Sequence, residues 1–157
     1  MKSYSALLVQ IAVVLIGIGT LALMLWEPHL EGRNAHATIG EIYFHDPFLA
    51  FVYVGSAPFF LALHRTFSLF GHVRKTKAFS QVTVDALMFI KHCAIAIIGF
   101  VAVAAFLIII FGDMEDRPAG IVMSVFVILA SMFIAAGAAM LARSLQISLS
   151  RSDASEG

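Results

Sequence analysis

The segment HRTFSLFGHVRKTKAFSQVTVDALMFIKH, residues 64–92, decides the fold because it is a basic stretch between two long apolar runs. It contains five of the ten Lys and Arg residues of the chain and one of the ten Asp and Glu residues. Lys and Arg concentrate in the cytoplasmic loops of membrane proteins. The segment therefore predicts a cytoplasmic connection between two transmembrane helices.

The composition is that of a membrane protein. The 157 residues are 61% apolar and 13% charged, whereas a soluble domain is about 45–50% apolar and about 25% charged. A transmembrane helix needs about 20 mainly apolar residues, and the runs that approach or reach this length are 6–26, 48–63, 93–111 and 119–142. We predict an all-α membrane protein: residues 1–143 form one four-transmembrane-helix bundle, and residues 144–157 form a flexible polar tail.

The third span is predicted to begin well before its apolar run. Ser80 is a good N-cap residue, and no Gly or Pro interrupts residues 81–98, so one helix can lead from the membrane surface into span three. We predict an amphipathic cytoplasmic helix continuous with that span, its apolar face lying in the headgroup region. The apolar residues at helical spacing on this face are Val82, Ala86 and Phe89.

The loop charges predict the orientation. Eight Lys and Arg residues fall on the side of the middle loop and both termini, against Arg33 and Arg117 on the other side. The sequence thus predicts a multi-pass protein of the inner membrane with cytoplasmic N- and C-termini. We expect Arg74, Lys75 and Lys77 to meet anionic lipid headgroups, at roughly 1 kcal/mol each, or a cytosolic regulatory protein. A formal net charge of zero suggests no nucleic-acid partner.

Histidines supply the candidate ligand sites. His64 and His92, at the cytoplasmic ends of spans two and three, are candidates for a shared cofactor ligand pair, as for a haem. The first loop combines imidazole with carboxylate, the usual ligands of zinc and copper. Its candidate metal ligands are His29, His36, His45, Glu31 and Glu41. The histidine gaps of seven and nine residues match no compact ligand motif, and no cofactor is predicted.

Small residues in span four predict close helix packing. Ser131, Ala135 and Ala139 recur every four residues, the small-xxx-small pattern that lets two helix backbones approach closely in lipid. The pattern fits a neighbouring helix of the same chain and, equally, a second copy in a homo-oligomer.

One motif resembles a known family. The pattern Phe79-Ser80-x-x-x-Val84-x-x-Leu87-x-x-Ile90, leading into a transmembrane helix, is similar to that of the bacterial membrane proteins of domain of unknown function 2975. The resemblance is best from Arg65 to about Leu145 and implies four spans. The chain differs from these proteins at 76–78, where they have a glycine-acidic turn, at 82–83, where they have an acidic-Asn pair, and after Arg143, where many end in Asp-Leu-Thr. The family has no established activity. The resemblance implies only that such genes often lie beside a small helix-turn-helix regulator.

Three interpretations of function remain open. The predicted spans contain no Asp, Glu, Lys, Arg or His in their interiors, although ion pathways and proton relays ordinarily need such groups at depth. The first interpretation is a non-enzymatic regulatory or scaffold subunit that acts through its basic cytoplasmic loop. The second is a ligand-, haem- or metal-binding membrane protein, and the third is a small oligomeric transporter. We favour the first because it requires no residue that the sequence lacks.

The topology is directly testable. Because the charge split is eight to two, a reporter fused after Gly157 should be cytoplasmic. A cysteine placed at Asn34, with Cys93→Ala to remove the native thiol, should react with an impermeant reagent from the outside. Reaction only after the membrane is breached would overturn the orientation.

Overall fold

The computed structural model describes residues 3–30, 47–75, 80–112 and 117–156, and the elements described are four α-helices. They are α1 (Ser3–Leu30), α2 (Pro47–Lys75), α3 (Gln81–Phe111) and α4 (Arg117–Glu156). By length and composition, three are able to cross a membrane: α1, α3 and α4. Over its described residues α2 does not meet that measure. The prediction of an all-helical membrane protein agrees with this architecture.

Helices that follow one another in the chain lie side by side and antiparallel. The Gln10 side chain of α1 donates to the Phe67 carbonyl of α2 (3.1 Å). At the other end of this pair, the Tyr53 hydroxyl donates to the Met24 carbonyl (2.7 Å). Arg65 of α2 meets Phe89 of α3, and one buried cluster joins α2, α3 and α4, so the start of α1, the end of α2, the start of α3 and the end of α4 lie at one end of the molecule. We call it the basic end and define it as residues 3–10, 64–75, 80–92 and 138–156.

At the opposite end of the molecule, the end of α3 meets the start of α4. These two helices have the most extensive contact of any pair described. A Cβ atom at Gly120 would lie 3.0 Å from Ile108 Cδ1, so the absence of a side chain lets the two helices approach closely. The Gly112 amide caps α3 by donating to the Ile108 carbonyl (2.9 Å), and Arg117 Nε at the start of α4 donates to the Gly112 carbonyl (2.8 Å). These contacts fix the longitudinal alignment of α3 and α4.

Helix length then places the core. α3 has 31 residues and α4 has 40, which correspond to about 46 Å and about 60 Å at 1.5 Å per residue. Both exceed the roughly 30 Å hydrocarbon core of a bilayer. Because the two helices are aligned where α3 ends and α4 begins, the extra length of α4 over α3 lies at the basic end. The buried hydrophobic cluster of the described residues lies there: Leu69 of α2, Val84, Ala86, Leu87 and Ile90 of α3, and Ala138 and Ala142 of α4.

The C-terminal segment corrects one prediction. Residues 144–157 were expected to form a flexible polar tail, but α4 continues through this segment to Glu156. Leu145 and Leu149, four residues apart, pack against the buried cluster. Serine hydroxyls bond within the helix, as Ser148 does to the Ser144 carbonyl (3.0 Å). Helical burial of two leucines therefore outweighs a serine-rich composition.

Ser80 caps α3, as predicted. Its backbone is extended (φ −150°, ψ 153°), and its side chain accepts the Thr83 amide at 3.4 Å. The helix then runs without interruption to Phe111.

The residues predicted to form the headgroup-facing surface of α3 differ in exposure. Val82 is 55% exposed and Ala86 is 8% exposed, while Val84, which that prediction did not include, is 2% exposed. Leu69 of α2 and Ala138 and Ala142 of α4 supply an apolar surface at this level. Val84 and Ala86 therefore pack against protein.

The cap generates a prediction. Ser80→Ala removes the acceptor for the Thr83 amide and should cost about 0.5–2 kcal/mol. Val84→Pro should break the helix outright, because proline removes an amide and clashes with the preceding turn. Thermal unfolding in detergent can be followed by thiol labelling of Cys93, which is buried and free. Ser148→Ala, at an exposed position inside α4, is the matched control and should leave the midpoint unchanged. Equal midpoints for the Ser80 and Ser148 variants would contradict the assignment of the cap.

Candidate functional site

The basic end is the candidate functional site because helices α2, α3 and α4 all contribute to its core. Val84 and Ala142, at 2% and 1% exposed, are the most deeply buried side chains of this cluster. Val73, Met88, Leu145 and Leu149 pack around them as partly buried residues. Burial of an aliphatic side chain stabilises by about 1.5–3 kcal/mol when it leaves water. The ends of three helices are thus held as one packed unit.

The predicted partner-binding residues lie at the junction of α2 with α3. Arg74 and Lys75 form the C-terminal end of α2, and their side chains lie outside the described part of the chain. Lys77 lies outside the described residues. The backbone therefore places Arg74 and Lys75 about one and a half turns beyond Leu69 of the buried cluster, at the tip of the basic end.

Both candidate cofactor ligands lie on the surface of the basic end. His64 and His92 are exposed, on α2 and α3 respectively. The His92 Nδ1 atom lies 2.6 Å from the Met88 carbonyl oxygen, one turn back along its own helix. Nδ1 therefore faces the backbone, and the other ring nitrogen, Nε2, faces away from it. Among the described residues, no group of three or more His, Cys, Asp and Glu side chains comes together as a metal site would require.

The candidate metal ligands of the first loop are not placed by the structure. Glu31, His36, Glu41 and His45 lie outside the described residues. His29 belongs to the last turn of α1, and its side chain is outside the described part.

Arg65 of α2, which the sequence did not indicate as a site residue, lies at the contact with α3. The Arg65 guanidinium carbon stands 4.8 Å from the centroid of the Phe89 ring, a cation-π distance. Arg65 itself is exposed and Phe89 is half-buried. The sequence marks Arg65 only as a single arginine at the end of a long uncharged run. The Phe89 ring that it contacts is 24 positions away, so the sequence does not reveal the pair.

The small residues of α4 form a buried stripe that is offset from the predicted one. Ser131 is buried, while Ala135 and Ala139 are half-buried. The buried small residues of α4 are Ser124, Ser131, Ala138 and Ala142. The Ser124 hydroxyl donates to the Gly120 carbonyl in its own helix (2.7 Å), so it needs no partner from another helix. Ser124, Ser131 and Ala138 are seven residues apart along this side of α4, and Ala142 follows four residues after Ala138.

This offset generates a packing prediction. Ala142→Leu adds a large side chain to a filled site and should destabilise by about 1–3 kcal/mol. Ala136→Leu makes the same change at an exposed position of the same helix and should be near neutral. Ala135→Leu, at a half-buried position, should fall between the two. The order of the three midpoints in thermal unfolding checks the face of α4 that packs, and an equal loss at positions 136 and 142 would refute it.

Comparisons with known proteins agree with the sequence motif and the helical fold. The family model described as "Protein of unknown function (DUF2975)" matches residues 33–153. The chain is also 35% identical over 147 residues to the "Uncharacterized membrane protein YoaS" of Bacillus subtilis, covering 93% of this chain and 92% of the relative. No solved structure matches the chain. Neither description gives an activity. The chain belongs to the DUF2975 family of proteins of unknown function.

Proposed function

We propose that this protein is a four-span protein of the inner membrane, with both termini cytoplasmic, that acts as a non-enzymatic regulatory or scaffold subunit. The observation that supports the proposal best is the packed basic end, where three helices extend together and bury a shared apolar cluster. A protein that only had to cross the bilayer would need neither the extra length of α4 nor a core at this end.

The geometry of α2 supports a fourth span. Because α2 runs antiparallel to both α1 and α3, those two helices start at the same end of the molecule. If α1 and α3 both cross the bilayer, the chain must return between them, and α2 is the segment that connects them. The uncharged run 48–63 is only about 24 Å long as a helix. The helix continues to Lys75, so Arg65 can reach the interface while the apolar residues around it complete the span.

The charge pattern supports a protein partner. Residues 64–92 carry five basic residues and one acid, and Arg74 and Lys75 lie at the end of α2, just beyond the buried cluster. A basic surface held by a rigid core favours association with a partner of opposite charge. We infer that the partner is a cytosolic regulatory protein with an acidic surface, and that the helix ends hold the binding residues in place.

The test is co-purification with the full chain embedded in nanodiscs. A cytosolic protein that binds through the tip should be retained by the parent and lost from a triple variant, Arg74→Glu, Lys75→Glu and Lys77→Glu. The matched control is Arg143→Glu with Arg151→Glu, which reverses charge on α4 at the same end and should retain the same protein. Loss of about tenfold or more in affinity is expected, because like charges replace opposite ones.

Topology must be checked in the same variants, because loop charges also set the orientation. A reporter after Gly157 should remain cytoplasmic in both. Equal retention by the triple variant and the control, with topology intact in each, would refute the proposed binding surface.

A further inference from the structure

The contact between α2 and α3 carries a cation without a protein acceptor in the described part of the chain. We propose that Arg65, placed over the Phe89 ring and flanked by His92, binds the phosphate group of an anionic phospholipid. This inference goes beyond the proposed function, because lipid binding at Arg65 requires no protein partner.

The first observation is the state of Arg65. Its guanidinium carbon lies 4.8 Å from the Phe89 ring centroid, and among the described residues no side chain or carbonyl accepts a hydrogen bond from it. Guanidinium carries five N–H donors in a plane and no acceptor. The guanidinium carbon lies over the Phe89 ring, and Arg65 is exposed. Its N–H donors are therefore accessible to a ligand from outside the chain, with which a guanidinium can bond in a bidentate way.

The second observation is the level at which Arg65 lies. It follows the uncharged run 48–63 on α2, and it meets α3 at Phe89, just before the apolar run 93–111. Both neighbouring helices thus change from apolar to polar at this level. The phosphate groups of a bilayer lie at the same boundary between hydrocarbon and water. This position favours a lipid phosphate over a free one as the ligand.

The surroundings fit a lipid on both sides of the boundary. Leu61, one turn from Arg65 toward the apolar run, is 51% exposed, and Ile95, one turn beyond His92, is 49% exposed. These side chains offer an apolar surface for acyl chains next to the cation. His92 is exposed and is adjacent to Phe89 on the helix surface, three residues further on. With Nδ1 held at the Met88 carbonyl, Nε2 is the ring nitrogen that can face a phosphate.

One acidic group lies on the same face of α3. Asp85 precedes Phe89 by one turn, about 6 Å toward the tip of the basic end. Its carboxylate accepts a hydrogen bond from the Gln81 side chain (3.1 Å), which lies a further turn away from Arg65 in the same direction. The acid therefore stands on the water side of the proposed site, and the lipid phosphate would lie between Phe89 and the apolar run.

The chemistry is that of a phosphate ester. Arg and phosphate form paired, charge-assisted hydrogen bonds, and the same donors would bind inorganic phosphate. The test therefore uses three probes with the purified full chain in detergent: phosphatidylglycerol, phosphatidylcholine and inorganic phosphate. The readout is the unfolding midpoint followed by labelling of the buried Cys93 thiol, measured as a titration against each probe.

We expect phosphatidylglycerol to raise the midpoint in a saturable way, and the other two probes to leave it nearly unchanged. Arg65→Gln should weaken the apparent affinity for phosphatidylglycerol by about tenfold or more, because two charge-assisted bonds are lost. Arg143→Gln removes the same charge from an exposed position on α4 and should titrate like the parent. Phe89→Leu keeps the charge but removes the stacking surface, so it should also weaken the affinity even if the Arg65 variant does not fold.

Several results would overturn the inference. One is an unchanged phosphatidylglycerol titration in the Arg65 and Phe89 variants. Another is an equal response to phosphatidylcholine, which would show that net negative charge is not recognised. A third is a full response to inorganic phosphate alone, which would identify a soluble ligand in place of a lipid.

Discussion

The close junction of α3 with α4 is the constraint on which the rest of the structure depends. Gly120 lets α4 approach Ile108, and the bond from Arg117 Nε to the Gly112 carbonyl joins the two helices at that end. Their lengths are 31 and 40 residues. The extra length of α4 over α3 therefore lies at the other end, where α2 also arrives. The buried cluster of α2, α3 and α4 is a consequence of this alignment.

The sequence was sufficient to predict the helical class, the family, the Ser80 cap and the last residue of α3. Each of these depends on a local signal: an apolar run, a short motif, or a capping residue followed by an uninterrupted stretch. The face of α3 that is buried could not be predicted in the same way, because Val82 and Val84 are equally apolar. Only the position of Ala138, Ala142 and Leu69 on neighbouring helices decides between them. The C-terminal segment was misjudged because serine content was weighed above the spacing of Leu145 and Leu149.

The candidate site illustrates the same limit. The basic residues and histidines of 64–92 are plain in the sequence, but their surroundings depend on how α2 lies against α3. Arg65 and Phe89 are 24 positions apart and meet only because the two helices are antiparallel and closely packed. Conversely, adjacent positions can differ completely in role, as the exposed His92 and the buried Cys93 do. The chemical type of a residue can be read from the sequence. The direction of its side chain and the residues that it contacts depend on the tertiary structure.

The position of the core also bears on how binding at one end would act on the rest of the molecule. In lipid, little hydrophobic drive exists between helices, and close contact of small residues must hold them together. At the basic end, burial of aliphatic side chains away from water adds a stronger force. Helices α3 and α4 each run from an apolar stretch long enough to cross a membrane into the buried cluster, without a break in their described helical stretch. A ligand that separates or tilts their ends must therefore also move their apolar halves, since a continuous helix behaves as a rigid element in such shifts. A lipid at Arg65 would act at the boundary between the two environments, whereas a protein at the tip would act beyond it.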